Sequence, residues 1–134
     1  MRLVAKRSEF KRRESKRRAV FLDRDGVINA LVYHEDAGVI DSPMNEKQLK
    51  MLPRVPKAIR LLNEKGFLVI VVSNQAAVAR GRFSMEVIDK VEYEIKARLA
   101  KAGARIDAAY YCVHQQRNNI AHPYAKPQPL LFLQ

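Results

Sequence analysis

Two acids, Asp23 and Asp25, stand one residue apart directly after the apolar run Val20-Phe21-Leu22. A strand that carries its charges at its C-terminal tip offers them to whatever binds there. Gly26 follows Asp25 at once and lets the backbone turn, so that Asp23 faces a ligand and Asp25 reaches it from the side. Paired acids suit two tasks: holding a hard cation such as Mg²⁺, and dividing the roles of nucleophile and proton donor. A second polar cluster, Ser73-Asn74-Gln75, ends the longer apolar run Phe67–Val72. Ser73 and the backbone N–H groups around it are neutral donors for an anion. Carboxylates, a hard metal and anion donors together suggest phosphoryl transfer. On spacing alone an Asp-x-Asp is also what a solvated strand end looks like, so the elements that position it matter.

Residues 19–22 read as a buried strand without polar alternation, as in a parallel sheet covered on both faces. Residues 26–53, broken by Gly26, Gly38, Pro43 and Pro53, read as loop or a small excursion over the strand tips. Val55, Ala58, Ile59 and Leu62 recur at helical spacing and predict a helix over 54–65, stopped by Gly66. A second strand covers 67–72 and ends at Ser73. Ser84 as N-cap, Glu86 in the first turn and Gly103 as terminator predict a helix over 84–101. Its stripe is Val87, Ile88, Val91, Ile95 and Leu99. A third strand is expected over 106–113. The sum is β-α-β-α-β, an open parallel α/β sheet with right-handed crossovers and helices on both faces. Such sheets bind ligands outside the carboxyl ends of their strands, where both polar clusters fall.

The 134-residue chain is 48% hydrophobic, which fits one globular domain. Its net charge of +11 is unevenly spread: residues 1–18 carry +7 of it. This basic N-terminal arm is either a solvated extension or an attractor of nucleic acid or another polyanion. Only Phe10 in it can stack on a base, and no recognition motif accompanies the charge. No apolar run is long enough to span a membrane, and no secretory signal is legible. A single cysteine, Cys112, excludes an internal disulfide framework. A cytoplasmic location is expected.

The stretch "VFLDRDGVIN" resembles the first signature of the haloacid dehalogenase (HAD) superfamily of aspartyl-phosphate phosphatases. "VIVVSNQAAVARGRFS" resembles the second, in the form found in the subfamily of heptose-bisphosphate and histidinol-phosphate phosphatases. "VIDSPMNEKQLKMLPRVPKAIRLLNEKGF" and "AGARIDAAYYCVH" are similar to that subfamily too, so the likeness runs over about 19–114. It implies a HAD-like (Rossmannoid) core and a phosphomonoesterase acting on a small sugar phosphate such as a heptose bisphosphate. By resemblance, Asp23 is the nucleophile and Asp25 the general acid and base. Mg²⁺ is held by the Asp23 carboxylate and the Asp25 carbonyl, and Ser73 and Asn74 bind the phosphoryl oxygens. Asn29 falls in the loop after the nucleophile, and Arg80 with Gly81 in the segment that approaches substrate.

After residue 114 the pattern departs from the family. Lys126 in "KPQP" matches the lysine that neutralises phosphate, yet Ala125 stands where Arg is expected and Leu130 where Gly is. No acid follows Asp107, so the family's last acidic motif is missing. Residues 115–134 are therefore expected to be a divergent tail, from truncation or frameshift or in a shortened relative completed by a partner chain. Cys112, His114 and His122 match a degraded Cys/His zinc element, but three ligands fall short of a structural site and zinc is not expected. The alternative to a working phosphatase is a catalytically impaired HAD fragment that binds nucleic acid or a partner through its basic arm.

Overall fold

The computed structural model describes residues 4–6 and 17–114. In chain order the elements are β1 Val4–Lys6, β2 Ala19–Leu22, β3 Val32–His34, β4 Val39–Asp41, α1 Val55–Glu64, β5 Leu68–Asn74, α2 Met85–Lys101 and β6 Ala108–Cys112. The main sheet has the order β1-β6-β5-β2. As expected, β2, β5 and β6 are parallel to one another, with Leu22 in register with Val71 and Ser73 with Tyr111.

The fourth strand differs from the expectation for residues 1–18. Val4–Lys6 pairs antiparallel with β6, placing Val4 opposite Tyr111 and Lys6 opposite Ala109. Three residues are too few to carry a strand pattern of their own, so the edge of β6 selects this strand rather than its own sequence.

Both helices start and stop where their ends demand. Ser84 caps α2 by accepting from the Val87 N–H, Glu86 lies in the first turn, and Arg98 and Lys101 lie in the last. At the start of α1, Arg54 holds a left-handed backbone and a proline follows in the first turn. Ile59 of α1 and Ile88, Val91, Ile95 and Leu99 of α2 share one core with Val69, Val71, Ala109 and Tyr111 of the sheet. Among the described residues both helices therefore pack on one face of the sheet, where helices on both faces were expected: β2, β5 and β6 follow one another across the sheet in one direction, so crossovers of the same hand fall on the same side. On the other face Leu68, Val72, Ala108 and Cys112 are buried as well.

Residues 26–53, read from the sequence as loop or a small excursion over the strand tips, contain a hairpin. β3 pairs antiparallel with β4, Tyr33 opposite Ile40 and His34 opposite Val39. Each strand is three residues long with a polar member, too short for a period-two pattern to stand out. A second difference concerns β5, which runs two residues past the expected end at 72. Ser73 and Asn74 are its last members, held by pairing with Tyr111 and Cys112.

Candidate active site

Asp23 follows directly on the last paired residue of β2, so it stands at that strand's tip beside the end of β5. It is half-buried, and one of its carboxylate oxygens accepts from the Arg24 N–H at 2.8 Å. The turn that follows is tight. The Arg24 carbonyl accepts from the N–H groups of Val27, Ile28 and Asn29 at 2.8–3.2 Å, and Gly26 N–H donates to the Asn29 carbonyl at 2.7 Å. Gly26 takes φ 82°, the left-handed region that a β-carbon disfavours.

This turn points the Asp25 side chain into a ring of donors. Asn29 Nδ2 reaches Oδ1 at 3.0 Å, and Arg24 Nε reaches the same oxygen at 3.1 Å. Gln75 Nε2 donates to Oδ2 at 2.6 Å, and Ser42 Oγ donates to it as well. Burial by itself would raise the Asp25 pKa. The Arg24 charge and the hydrogen bonds from Ser42, Asn29 and Gln75 outweigh it and hold the carboxyl below its usual range. The Arg24 guanidinium is 2% exposed and lies 5.6 Å from the centre of the Tyr111 ring. Arg24 thus turns under the strand tips and anchors Asp25 from below.

Gln75 links the two polar clusters. Its Nε2 donates to Ser73 Oγ at 2.8 Å as well as to Asp25, and its backbone N–H donates to the Cys112 carbonyl at 2.7 Å. That N–H, one of the backbone donors expected around Ser73, is therefore committed to β6. Ser73 is buried, whereas Asn74 and Arg80 are exposed. Arg82, two residues after Arg80, pairs with Asp41 at 2.8 Å and so fastens the 76–83 turn to the hairpin.

The sequence-predicted residues divide accordingly. Asp23, Asp25, Asn29 and Ser73 gather at the tips of β2 and β5, joined by Gln75. Lys126 and His122 lie outside the described residues. Cys112 is buried within β6, and burial pushes its thiol pKa up. Among the described residues, no group of three or more His, Cys, Asp or Glu is arranged to hold a metal. Arg24, Ser42, Gln75 and His34 were given no role by the sequence. His34, inside the 26–53 stretch, is buried, and its ring Nε2 lies 2.8 Å from the Ser42 carbonyl. A surface groove between Met44, Glu46 and the outer side of α2 contains none of the strand-tip residues.

The donor set suits a hard cation of the Mg²⁺ kind. With the Asp25 side chain engaged by Arg24, Asn29, Ser42 and Gln75, the groups that could hold such a cation are the Asp23 carboxylate and the Asp25 backbone carbonyl. Mg²⁺ commonly binds through one or two carboxylates and keeps several waters and substrate oxygens.

A parallel sheet with an Asp-Arg-Asp turn at one strand tip and a Ser-Asn end on the next is the HAD-superfamily fold, and the proteins to which the chain is similar are phosphatases of that superfamily. No family model matches the chain. Within the superfamily it is 33% identical over 123 residues to the D-glycero-β-D-manno-heptose-1,7-bisphosphate 7-phosphatase of Rhodopseudomonas palustris, an alignment covering 88% of this chain and 64% of that protein. The Vibrio cholerae protein of the same name is 34% identical over 120 residues, covering 86% and 60%. The crystal structure of the D,D-heptose 1,7-bisphosphate phosphatase of B. bronchiseptica with magnesium and phosphate superposes with a TM-score of 0.70 at 29% identity, over 86% of this chain and 59% of that one. A HAD-like phosphatase from Mesorhizobium loti gives a TM-score of 0.76 at 27% identity, over 96% and 60%. The chain therefore spans about three fifths of the length of these relatives. The aligned share of this chain also exceeds the stretch 19–114 over which the likeness was legible.

Proposed function

We propose that the chain hydrolyses the phosphomonoester of a small phosphorylated sugar of the heptose-bisphosphate type, through an aspartyl-phosphate on Asp23. One observation carries this reading: the nucleophile candidate, a second acid held by four donors and the Ser73 end of β5 lie together at two adjacent strand tips. The names of the relatives supply the substrate class.

The Asp23 carboxylate attacks phosphorus while the ester oxygen takes a proton from the Asp25 carboxyl and leaves as the alcohol. Asp25, now ionised, withdraws a proton from water, and that water displaces Asp23 and releases phosphate. The donors around Asp25 favour its ionised form, the form required of the base. An anionic phosphate ester arriving nearby opposes ionisation and so favours the proton needed for the first step. Ser73, Asn74 and Arg80 are assigned to the phosphoryl oxygens by resemblance, as Lys126 is to charge neutralisation. Mg²⁺, held by Asp23 and the Asp25 carbonyl, supplies charge stabilisation of the transferring group. A cytoplasmic location accords with a free buried Cys112 and with the lack, among the described residues, of any helix long and apolar enough to cross a membrane.

The test is phosphate release from a panel of sugar phosphates, with and without Mg²⁺, beside Asp23→Asn. The variant is nearly isosteric and is expected to lose at least ~10³-fold in turnover, as other activated nucleophiles do. Turnover retained in the variant refutes the mechanism.

A further inference from the structure

The β3–β4 hairpin ends in Ser42, a residue 17 positions from Asp25 and 33 from Gln75, yet it touches both. Its placement is fixed at three points. The Asp41 carboxylate accepts from its N–H at 2.8 Å, and the His34 ring nitrogen lies 2.8 Å from its carbonyl. The third point is its hydroxyl, which lies against Asp25 Oδ2 and 3.0 Å from Gln75 Oε1. Asp41 is in turn tied to Arg82 at 2.8 Å, so both ends of this support are anchored in other elements.

A carboxyl group at the end of a two-torsion side chain has a broad second torsion and needs outside contacts to fix its plane. Asn29 and Arg24 come from Asp25's own turn and hold Oδ1. Oδ2 takes a longer contact from Arg24 Nη2 at 3.4 Å, and its closer donors arrive from elsewhere, Ser42 from the hairpin and Gln75 from just beyond the end of β5.

We propose that Ser42 is a positioning residue that aims the Asp25 carboxyl at the departing ester oxygen, so that the hairpin adapts the site to alkyl phosphates with poor leaving groups. The assignment rests on Asp25 being the proton donor. A misaimed acid harms only esters whose leaving group needs the proton. A phenolate such as p-nitrophenolate departs without one, whereas a sugar alkoxide does not. The ratio of the two rates therefore reports proton delivery, and it is independent of the fraction of protein that is folded.

The experiment measures kcat/KM, which covers the step in which the leaving group departs, for D-glycero-β-D-manno-heptose 1,7-bisphosphate and for p-nitrophenyl phosphate with Mg²⁺. Ser42→Ala is expected to lower the first by about 10–100-fold, part of the 10²–10⁴ that a positioned acid contributes, and the second by less than about threefold. Ser42→Thr keeps the hydroxyl and is expected to restore most of the sugar-phosphate rate. Asp25→Asn is expected to show the same selectivity more strongly. Equal losses on the two esters, or no loss on either, overturn the role of Ser42 while leaving the phosphatase reading intact. A parent chain inert towards both esters overturns that reading and the Ser42 assignment with it.

Discussion

The Tyr111 phenol is 2% exposed, and burial pushes its pKa up; Arg24 pulls it down and Glu92 pushes it up, with a net rise above the ordinary 10.0. Above pH 10 the unfolded chain has lost this proton while the folded chain still holds it. Unfolding then releases a proton, so stability is intact below pH 10 and falls as pH rises beyond it. One such proton steepens the fall by about 1.4 kcal/mol per pH unit. Urea unfolding at pH 10, 11 and 12 should give a shallower decline for Tyr111→Phe by about that amount; parallel declines would mean that the phenol titrates freely. The same residue shows the reach of single-sequence reading. Asp23 and Asp25 were legible because their meaning is local: an apolar run, two acids, a glycine. Arg24 lies between them, but its meaning is a contact with Tyr111, 87 positions away. Nothing in the spacing distinguishes it from a solvated arginine. Ser42 and Gln75 were hidden for the same reason.

At the scale of elements, the turn after β2 sets the direction of Asp25, and Gly26 makes that turn possible. An added β-carbon there meets nothing within 4 Å, so Gly26→Ala brings strain through its φ of 82° rather than through a clash. The expected cost is about 1–2 kcal/mol, read as a lower urea midpoint at unchanged slope. A midpoint that does not move would mean the turn adopts another backbone at no cost. Elements with strong local signals were legible: the capped α2, the α1 stripe around Ile59, and the apolar cores of β2 and β5. The β3–β4 hairpin was not, because its strands are three residues each and Tyr33 and Ile40 face outward. The turn signals around Gly38 and Pro43 were read as loop chemistry, whereas they bracket the strand that delivers Ser42.

For the molecule as a whole, the parallel β-α-β-α-β order was legible, and the way its sheet ends was not. Among the described residues, without β1 the strand Ala108–Cys112 would stand at the edge with one side of its backbone unpaired. It carries Tyr110 and Tyr111 and has no proline, glycine or charge to discourage pairing with another chain. Val4–Lys6 covers that edge with a strand ending in a lysine. Three residues can add only a few ladder bonds at about 1 kcal/mol net each, so the thermodynamic loss on deleting residues 1–6 should be modest, about 1–3 kcal/mol. The larger effect should be on association, because an open edge strand of this composition is a template for a second copy. Light scattering across a concentration series is therefore expected to show growth of oligomers in the deleted chain beyond those of the full chain, with a lower urea midpoint at low concentration. Replacing Tyr110 by lysine in the deleted chain puts a charge on the uncovered strand and should suppress that growth. Identical scattering and midpoints for the full and deleted chains would mean that β1 neither guards nor stabilises the sheet.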